Sequence, residues 1–193
     1  CEHLHLPFQA GSDRILHAMR RWHTIESYLE KLAMVRRLVP EIALSTDIIV
    51  GFPGESEEDF QGTLRVIEAV GFDQIYAFKY SPRSDTPAAT YPDQVPEELK
   101  AERLQRVFEL HNRLLREQNT ALVGSRQEVL VEGRHPRDGD AALGRSRGNK
   151  SIAVVNCEAV PGTLVPVEIV AARQFSLVGK AVLCIPRTSL KCR

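Results

Sequence analysis

The stretch from Ile42 to Val50 most constrains what this chain can fold into. Ile42, Leu44, Thr46, Ile48, Ile49 and Val50 are β-rich, the run turns continuously apolar, and Gly51-Phe52-Pro53-Gly54 stops it. Such a run suits a strand covered on both faces, as parallel strands are when crossover helices join them. The flanking sequence agrees. Thr24 can cap a helix whose apolar positions Ile25, Tyr28, Leu29, Leu32 and Val35 recur at helical spacing until Pro40. Ser56 and Asp59 make a capping-box start for a helix lined by Phe60, Leu64 and Ile67 and ended by Gly71. Ile75 to Tyr80 is a further strand, and Leu4 to Phe8 is a short apolar run before Gly11 and a helix capped by Ser12. The order β–α–β–α–β predicts a parallel sheet with crossover helices. About three strands are too few for a closed eight-stranded barrel. With no initiator Met ahead of Cys1, the expectation is a piece of something longer.

The pattern changes further on. Pro82, Pro87, Pro92 and Pro96 mark an irregular connection, and Leu104, Val107, Phe108, Leu115 and Leu122 form the stripe of a long helix ending near Gly124. Beyond it Val129 to Val131, Ile152 to Val155, Leu164 to Ile169 and Phe175 to Leu183 are short β-rich runs separated by Gly-containing turns. Val165, Val167 and Ile169 alternate with Pro166 and Glu168. Short strands so closely spaced predict a small antiparallel barrel. The expected division is 1–120 for the α/β part, 121–184 for the small barrel and 185–193 for a tail.

Charge divides the same way. The 25 basic and 25 acidic residues cancel overall, but residues 1–120 hold 14 against 19 and residues 121–193 hold 11 against 6. The basic second part is a candidate for polyanion contact. At 43% hydrophobic and 26% charged, the 193 residues are too apolar for a disordered chain. No run approaches the roughly 18 apolar residues of a membrane helix, and the first residues do not read as a signal peptide. Cys1, Cys157, Cys184 and Cys192 are scattered without a C-x-x-C pair. That argues against a disulfide framework, a zinc site or an iron–sulfur cluster on this chain, and for a reducing cytoplasm. His3 and His5 share a strand face but lack further ligands at metal spacing.

Three segments carry chemistry. His5 through Ser12 follows a strand and enters a helix N-terminus, where ligands bind in parallel α/β barrels. Gln9 and Ser12 there could hydrogen-bond a ribose or an amino-acid group. Ser45 through Glu55 places Asp47 inside an apolar strand, and Gly51 and Gly54 allow a ligand or another backbone to come close. Phe78 through Pro87 ends a strand with aromatics that could flank a flat ring and with Arg83, which could grip a carboxylate or phosphate.

The segments Cys1 through Pro7, Gln9 through Asp13, Ser45 through Glu55, Phe72-Asp73 and Phe78 through Arg83 resemble the MiaB-type methylthiotransferases. The resemblance continues in collinear order through Gln94-Val95-Pro96, Glu102-Arg103-Leu104, Leu130 through Gly133 and Gly144 through Lys150. The first block and Phe78 through Arg83 look most like the branch acting on tRNA adenosine. The resemblance implies a partial radical S-adenosylmethionine (β/α) barrel followed by an OB-like antiparallel TRAM barrel. It implies an enzyme adding a methylthio group to the adenine of isopentenyladenosine beside the tRNA anticodon. In the family a reduced [4Fe–4S] cluster and S-adenosylmethionine generate a radical, and a second cluster supplies sulfur. None of the cysteines here matches the family's cluster ligands, so this chain alone is expected to be inactive. Expected partners are tRNA, N-terminal domains in cis and an electron donor.

On that resemblance Gln9, Gly11, Ser12, Asp47, Ile49 and Gly51 are expected to contact S-adenosylmethionine, with Phe78 and Tyr80 bordering its adenine. The family's G-x-I-x-G strand motif has Asp47 in place of its first Gly. Arg145, Arg147, Asn149 and Lys150 lie in a turn-rich stretch suited to tRNA phosphates. The alternatives are a non-catalytic TRAM-type RNA-binding module and, more distantly, an aldolase-type barrel enzyme without a cluster.

Overall fold

The computed structural model describes residues 2–135 and 138–182. The expected tail 185–193, the end of the last expected strand at Leu183, and Cys1, Cys184 and Cys192 lie outside the described residues. The chain forms two compact units that divide between Leu115 and Arg116.

In the first unit β1 (His3–His5), β2 (Ala43–Val50) and β3 (Gln74–Lys79) form a parallel sheet in the order β1-β2-β3. The connections carry α1 (Asp13–Ala18), α2 (Ile25–Leu38) and α3 (Glu57–Val70), and α4 (Glu97–Ala121) follows β3. Helices α2 and α3 start in capping boxes at Thr24 and Ser56, as their sequences predict. Leu44, Ile48, Val50, Ile75 and Ala77 pack with Phe8, Tyr28, Leu32, Phe60, Ile67, Phe72 and Val107 in one core.

The expectation that β2 is covered on both faces holds for one face throughout and for the other only at Ala43 and Ser45. On the other face Asp47 and Ile49 are half-buried and stand beside Tyr76 and Phe78, which are exposed. The Asp47 that interrupts the apolar run therefore sits on the partly open end of this face, beside Tyr76, and makes no demand on the core. Phe108 also departs from the expected stripe of α4. It is 39% exposed, whereas Val107 and Leu115 are buried.

Two polar clusters fix the loops that follow the strands. Ser12 donates to Asp59 Oδ1 at 2.5 Å, and the Ser56 hydroxyl and N–H donate to Oδ2 at 2.6 and 2.9 Å. Arg14 pairs with the same carboxylate. Burial alone would raise the Asp59 pKa, but the hydrogen bonds from Ser12, Ser56 and Arg14 outweigh it and hold the carboxyl well below the usual range. A depressed carboxylate stabilises the fold above its unfolded pKa, and the contribution disappears as pH falls through the folded one. Asp59→Asn is expected to flatten the fall in urea midpoint below roughly pH 4 and to cost about 1–3 kcal/mol at neutral pH. Parallel acid limbs for the two proteins would refute this.

The second cluster holds the Gly51–Glu55 loop. Gly51 N–H donates to Glu55 Oε2 at 2.7 Å, and Arg103 of α4 donates to the same oxygen at 2.7 Å and to the Glu55 carbonyl at 3.1 Å. Both side chains are buried, Glu55 at 1% and Arg103 at 3% exposure. Gly51 has φ of 71°, and a Cβ there would lie 2.3 Å from Lys100 Cγ. Glycine is thus required both for the left-handed turn and for the approach of α4.

In the second unit β4 (Arg126–His135), β5 (Asp138–Ser146), β6 (Ser151–Val155), β7 (Leu164–Ala172) and β8 (Leu177–Ala181) close a barrel in the order β4-β5-β6-β8-β7. Every pairing is antiparallel except β6 with β8. Val165, Val167 and Ile169 of β7 face the core with Val129, Val131, Ile152, Val154 and Leu177, as the period-two pattern predicts.

Candidate functional site

A cavity of about 560 Å3 opens beside the C-terminal ends of β2 and β3. Gln9, Ile49, Phe52, Phe78, Tyr80 and Tyr91 supply much of its wall. The local backbone explains the grouping. Ile49 and Phe78 are paired residues of adjacent parallel strands and share the open face. Gln9 follows β1 and is locked to β2 at both ends, its N–H donating to Asp47 O at 3.0 Å and its carbonyl accepting from Ile49 N–H at 2.9 Å. Those bonds hold it at φ of 70°. A left-handed non-glycine residue costs about 1–3 kcal/mol and clusters at functional sites.

Aromatic contacts shape the floor. The Phe52 ring meets Tyr80 edge-on at 5.1 Å and Tyr91 at 6.3 Å between centroids. Lys100 sits 5.5 Å from the Tyr80 ring centroid and donates to the Tyr80 carbonyl at 3.2 Å. The Tyr80 hydroxyl is buried and has no hydrogen-bond partner. An orphaned buried hydroxyl costs about 1–3 kcal/mol, which the packing around the ring must offset. Phe78 is 58% exposed, presenting a ring face to whatever enters.

Of the eight residues expected to contact a cofactor, the cavity brings together Gln9, Ile49, Phe78 and Tyr80. The other four have other neighbours. Gly11 abuts α3, where a Cβ would meet Thr63 N at 2.2 Å. Ser12 is spent on Asp59 and Gly51 on Glu55. Asp47 lies two residues before Ile49 on the same face, where its Oδ2 is 3.5 Å from His5 Nε2. His5 Nδ1 is 2.9 Å from Ser45 Oγ. Sequence reasoning missed Tyr91, Arg20 and Arg21 as cavity residues. Phe52 was visible only as part of a turn motif.

In the small barrel the expected phosphate-binding residues form one turn. Asn149, at φ of 65°, donates its N–H to Ser146 O at 2.9 Å. Arg145 Nη1 donates to Asn149 Oδ1 at 3.2 Å and Arg145 Nε to Glu132 at 3.2 Å. Arg147 pairs with Glu128 at 3.1 Å, and Lys150 donates to Asn119 Oδ1 at 3.2 Å. Both arginines are about half exposed in these pairs. Exposed pairs are worth only about 0–1 kcal/mol, so an arriving phosphate competes for the guanidiniums easily.

Residues 1–67 match the Radical SAM superfamily and residues 120–182 match the TRAM domain. A tRNA-2-methylthio-N(6)-dimethylallyladenosine synthase of Acetivibrio thermocellus is 52% identical over 185 residues, covering 94% of this chain and 38% of that protein. Synthases of the same name from Moorella thermoacetica and Pelotomaculum thermopropionicum are 50% and 45% identical and cover 94% and 93% of the chain. Over nearly its whole length the chain is similar to the MiaB-type methylthiotransferases. It spans about two fifths of the length of these relatives, 38% to 41%.

This family uses S-adenosylmethionine and [4Fe–4S] clusters. The cavity fits the adenosine part of S-adenosylmethionine, offering the aromatic side chains of Phe52, Phe78, Tyr80 and Tyr91. An iron–sulfur cluster does not fit the described residues. No group of three or more His, Cys, Asp or Glu among them is placed to hold a metal, and their one cysteine, Cys157, lies in the small-barrel unit. No helix among the described residues is long and apolar enough to cross a membrane.

Proposed function

We propose that these residues wall the S-adenosylmethionine site and grip the RNA of a cytoplasmic tRNA methylthiotransferase. The whole protein would add a methylthio group to the adenine of isopentenyladenosine beside the anticodon. Its partners would be tRNA, further domains in cis and an electron donor. The observation that carries the reading is the cavity beside the strand ends, lined by Phe52, Phe78, Tyr80 and Tyr91. S-adenosylmethionine, when bound, supplies the radical chemistry characteristic of the superfamily. The chain's own residues orient it. Phe78 stacks on the adenine, the Phe52, Tyr80 and Tyr91 side chains line the apolar wall, and Gln9 closes one side. Asp47 lies on the same sheet face, within reach of a hydroxyl or amine. Gly11, Ser12 and Gly51 act at one remove, by fixing the loops that carry Gln9 and Phe52. Arg145, Arg147, Asn149 and Lys150 would take tRNA phosphates.

Calorimetric titration of S-adenosylmethionine tests the cavity. Phe78→Ala removes a ring that is 58% exposed, so stability is expected to stay level while affinity falls about 5- to 10-fold. Unchanged affinity would refute the role. RNA binding as a function of salt tests the turn. Arg145→Ala with Arg147→Ala is expected to reduce the slope of log K against log salt by about 1.4–1.8. Binding of RNA without any S-adenosylmethionine would instead favour a non-catalytic TRAM module.

A further inference from the structure

The turn after α1 presents cations and an aromatic ring that nothing in the first unit engages. Residues 17–24 contain two arginines, two histidines and the only tryptophan of the chain, with no acidic residue. Trp22 is 98% exposed. Arg20 and Arg21 line the cavity, as does Arg83. All three are exposed, and none of their side chains has an ion-pair or hydrogen-bond partner among the described residues. Arg14, Arg103, Arg106 and Arg113 of the same unit are all paired with carboxylates.

The turn is held firmly. Arg20 N–H donates to His17 O at 2.9 Å and Arg21 N–H to Leu16 O at 2.8 Å, with Arg20 at φ of 57°. Ile15 and Leu16 are fully buried beneath it, and Met19 packs on their cluster. Trp22 therefore stands on an anchored support. A fully hydrated indole is a large apolar surface left unused. Unpaired guanidiniums beside an exposed aromatic face are the combination that binds single-stranded nucleic acid, through phosphate contacts and base stacking.

We propose that Arg20, Arg21 and Trp22, with Arg83 on the same cavity, form a platform for single-stranded RNA at the cavity mouth. The proposal rests on the tRNA reading above and deepens it, because it adds a second RNA contact separate from the small barrel. Trp22 does not line the cavity, whereas its neighbours Arg20 and Arg21 do. A small ligand inside the cavity leaves Trp22 untouched. A base entering the cavity must carry its flanking nucleotides past the rim, where Trp22 stacks on one and the arginines take its phosphates. The all-basic turn favours RNA over a protein partner, which would need acidic residues of its own to match it.

The single tryptophan makes the test direct. A tRNA anticodon stem–loop is titrated into the full chain while Trp22 fluorescence and the anisotropy of labelled RNA are both read. Saturable quenching is expected, and it persists when Arg145 and Arg147 are both alanine. Trp22→Ala is expected to weaken binding roughly 5- to 100-fold, and Trp22→Phe distinctly less. Arg20→Ala with Arg21→Ala is expected to lower the salt slope by about 1.4. RNA that binds by anisotropy while fluorescence and salt slope ignore the rim variants overturns the platform and leaves the tRNA reading standing. No RNA binding at all overturns both. Fluorescence that answers S-adenosylmethionine alone, and not RNA, assigns the rim to the small ligand and overturns the platform. Response to a protein domain in place of RNA does so too.

Discussion

Arg103→Ala is expected to lower the unfolding free energy of the first unit by about 3–5 kcal/mol, the usual result of leaving a buried carboxylate without its partner. Glu55 is 1% exposed and takes hydrogen bonds from both Gly51 N–H and Arg103. Without the guanidinium its charge is stranded against α4, and the Gly51–Glu55 loop loses the bond that ties it to the helix. Arg103→Lys is expected to recover part of the loss, because it restores the charge but not the planar guanidinium that lies over the Phe60 ring and whose Nη1 donates to both the carboxylate and the Glu55 carbonyl. Urea unfolding of the two variants measures this. A loss below about 1 kcal/mol for Arg103→Ala, in the range of exposed pairs, would show that the pair does not hold the loop.

Gly11→Ala is the second large effect. A Cβ on Gly11 would lie 2.2 Å from Thr63 N and 2.3 Å from Gly62 C, all of it backbone of α3. Gly62 is equally confined, its Cβ meeting Gly11 O at 2.3 Å. Backbone cannot rotate away as a side chain can, so the loop or the helix must move. The expected cost is about 3 kcal/mol, at the upper end of ordinary overpacking. The displacement also reaches the cavity, since Gln9 is two residues away and bonded to β2. Thermal melting should therefore show a drop of several degrees, and S-adenosylmethionine affinity should fall with it. An alanine variant with unchanged melting would mean that the loop and helix separate freely.

The regular parts of the fold were legible because they are local. Thr24 and Ser56 announce helix starts within four residues, and Val165, Val167 and Ile169 announce a barrel strand by alternation alone. What was not legible depends on distant partners. Glu55 and Arg103 meet across 48 residues, and nothing near either signals the other. Gly11 and Gly62 read as turn and helix residues until their contact is seen. Strand β5 carries Asp138, Gly139, Asp140 and Gly144, and is strand because β4 and β6 pair with it. A continuous apolar run implied two covered faces for β2, but the open face is decided by Tyr76 and Phe78 on the next strand. The site was half legible for the same reason. Gln9 and the aromatics Phe78 and Tyr80 stand out by their place at strand ends, and Ile49 is expected only on the family resemblance, as are Gly11, Asp47 and Gly51, which do not line the cavity; Tyr91, Arg20 and Arg21 arrive from separate turns.

In the function proposed above, the cavity beside the ends of β2 and β3 holds the adenosine part of S-adenosylmethionine during tRNA methylthiolation. The most direct measurement replaces the matching segment of the Acetivibrio thermocellus synthase with residues 2–182 of this chain. Nucleosides of tRNA from cells relying on the chimera are then analysed by mass spectrometry. The predicted result is a methylthiolated dimethylallyladenosine, reduced about tenfold when Phe78→Ala removes the stacking face. A chimera that folds and binds tRNA yet makes the same amount of product with and without Phe78 would contradict the claim.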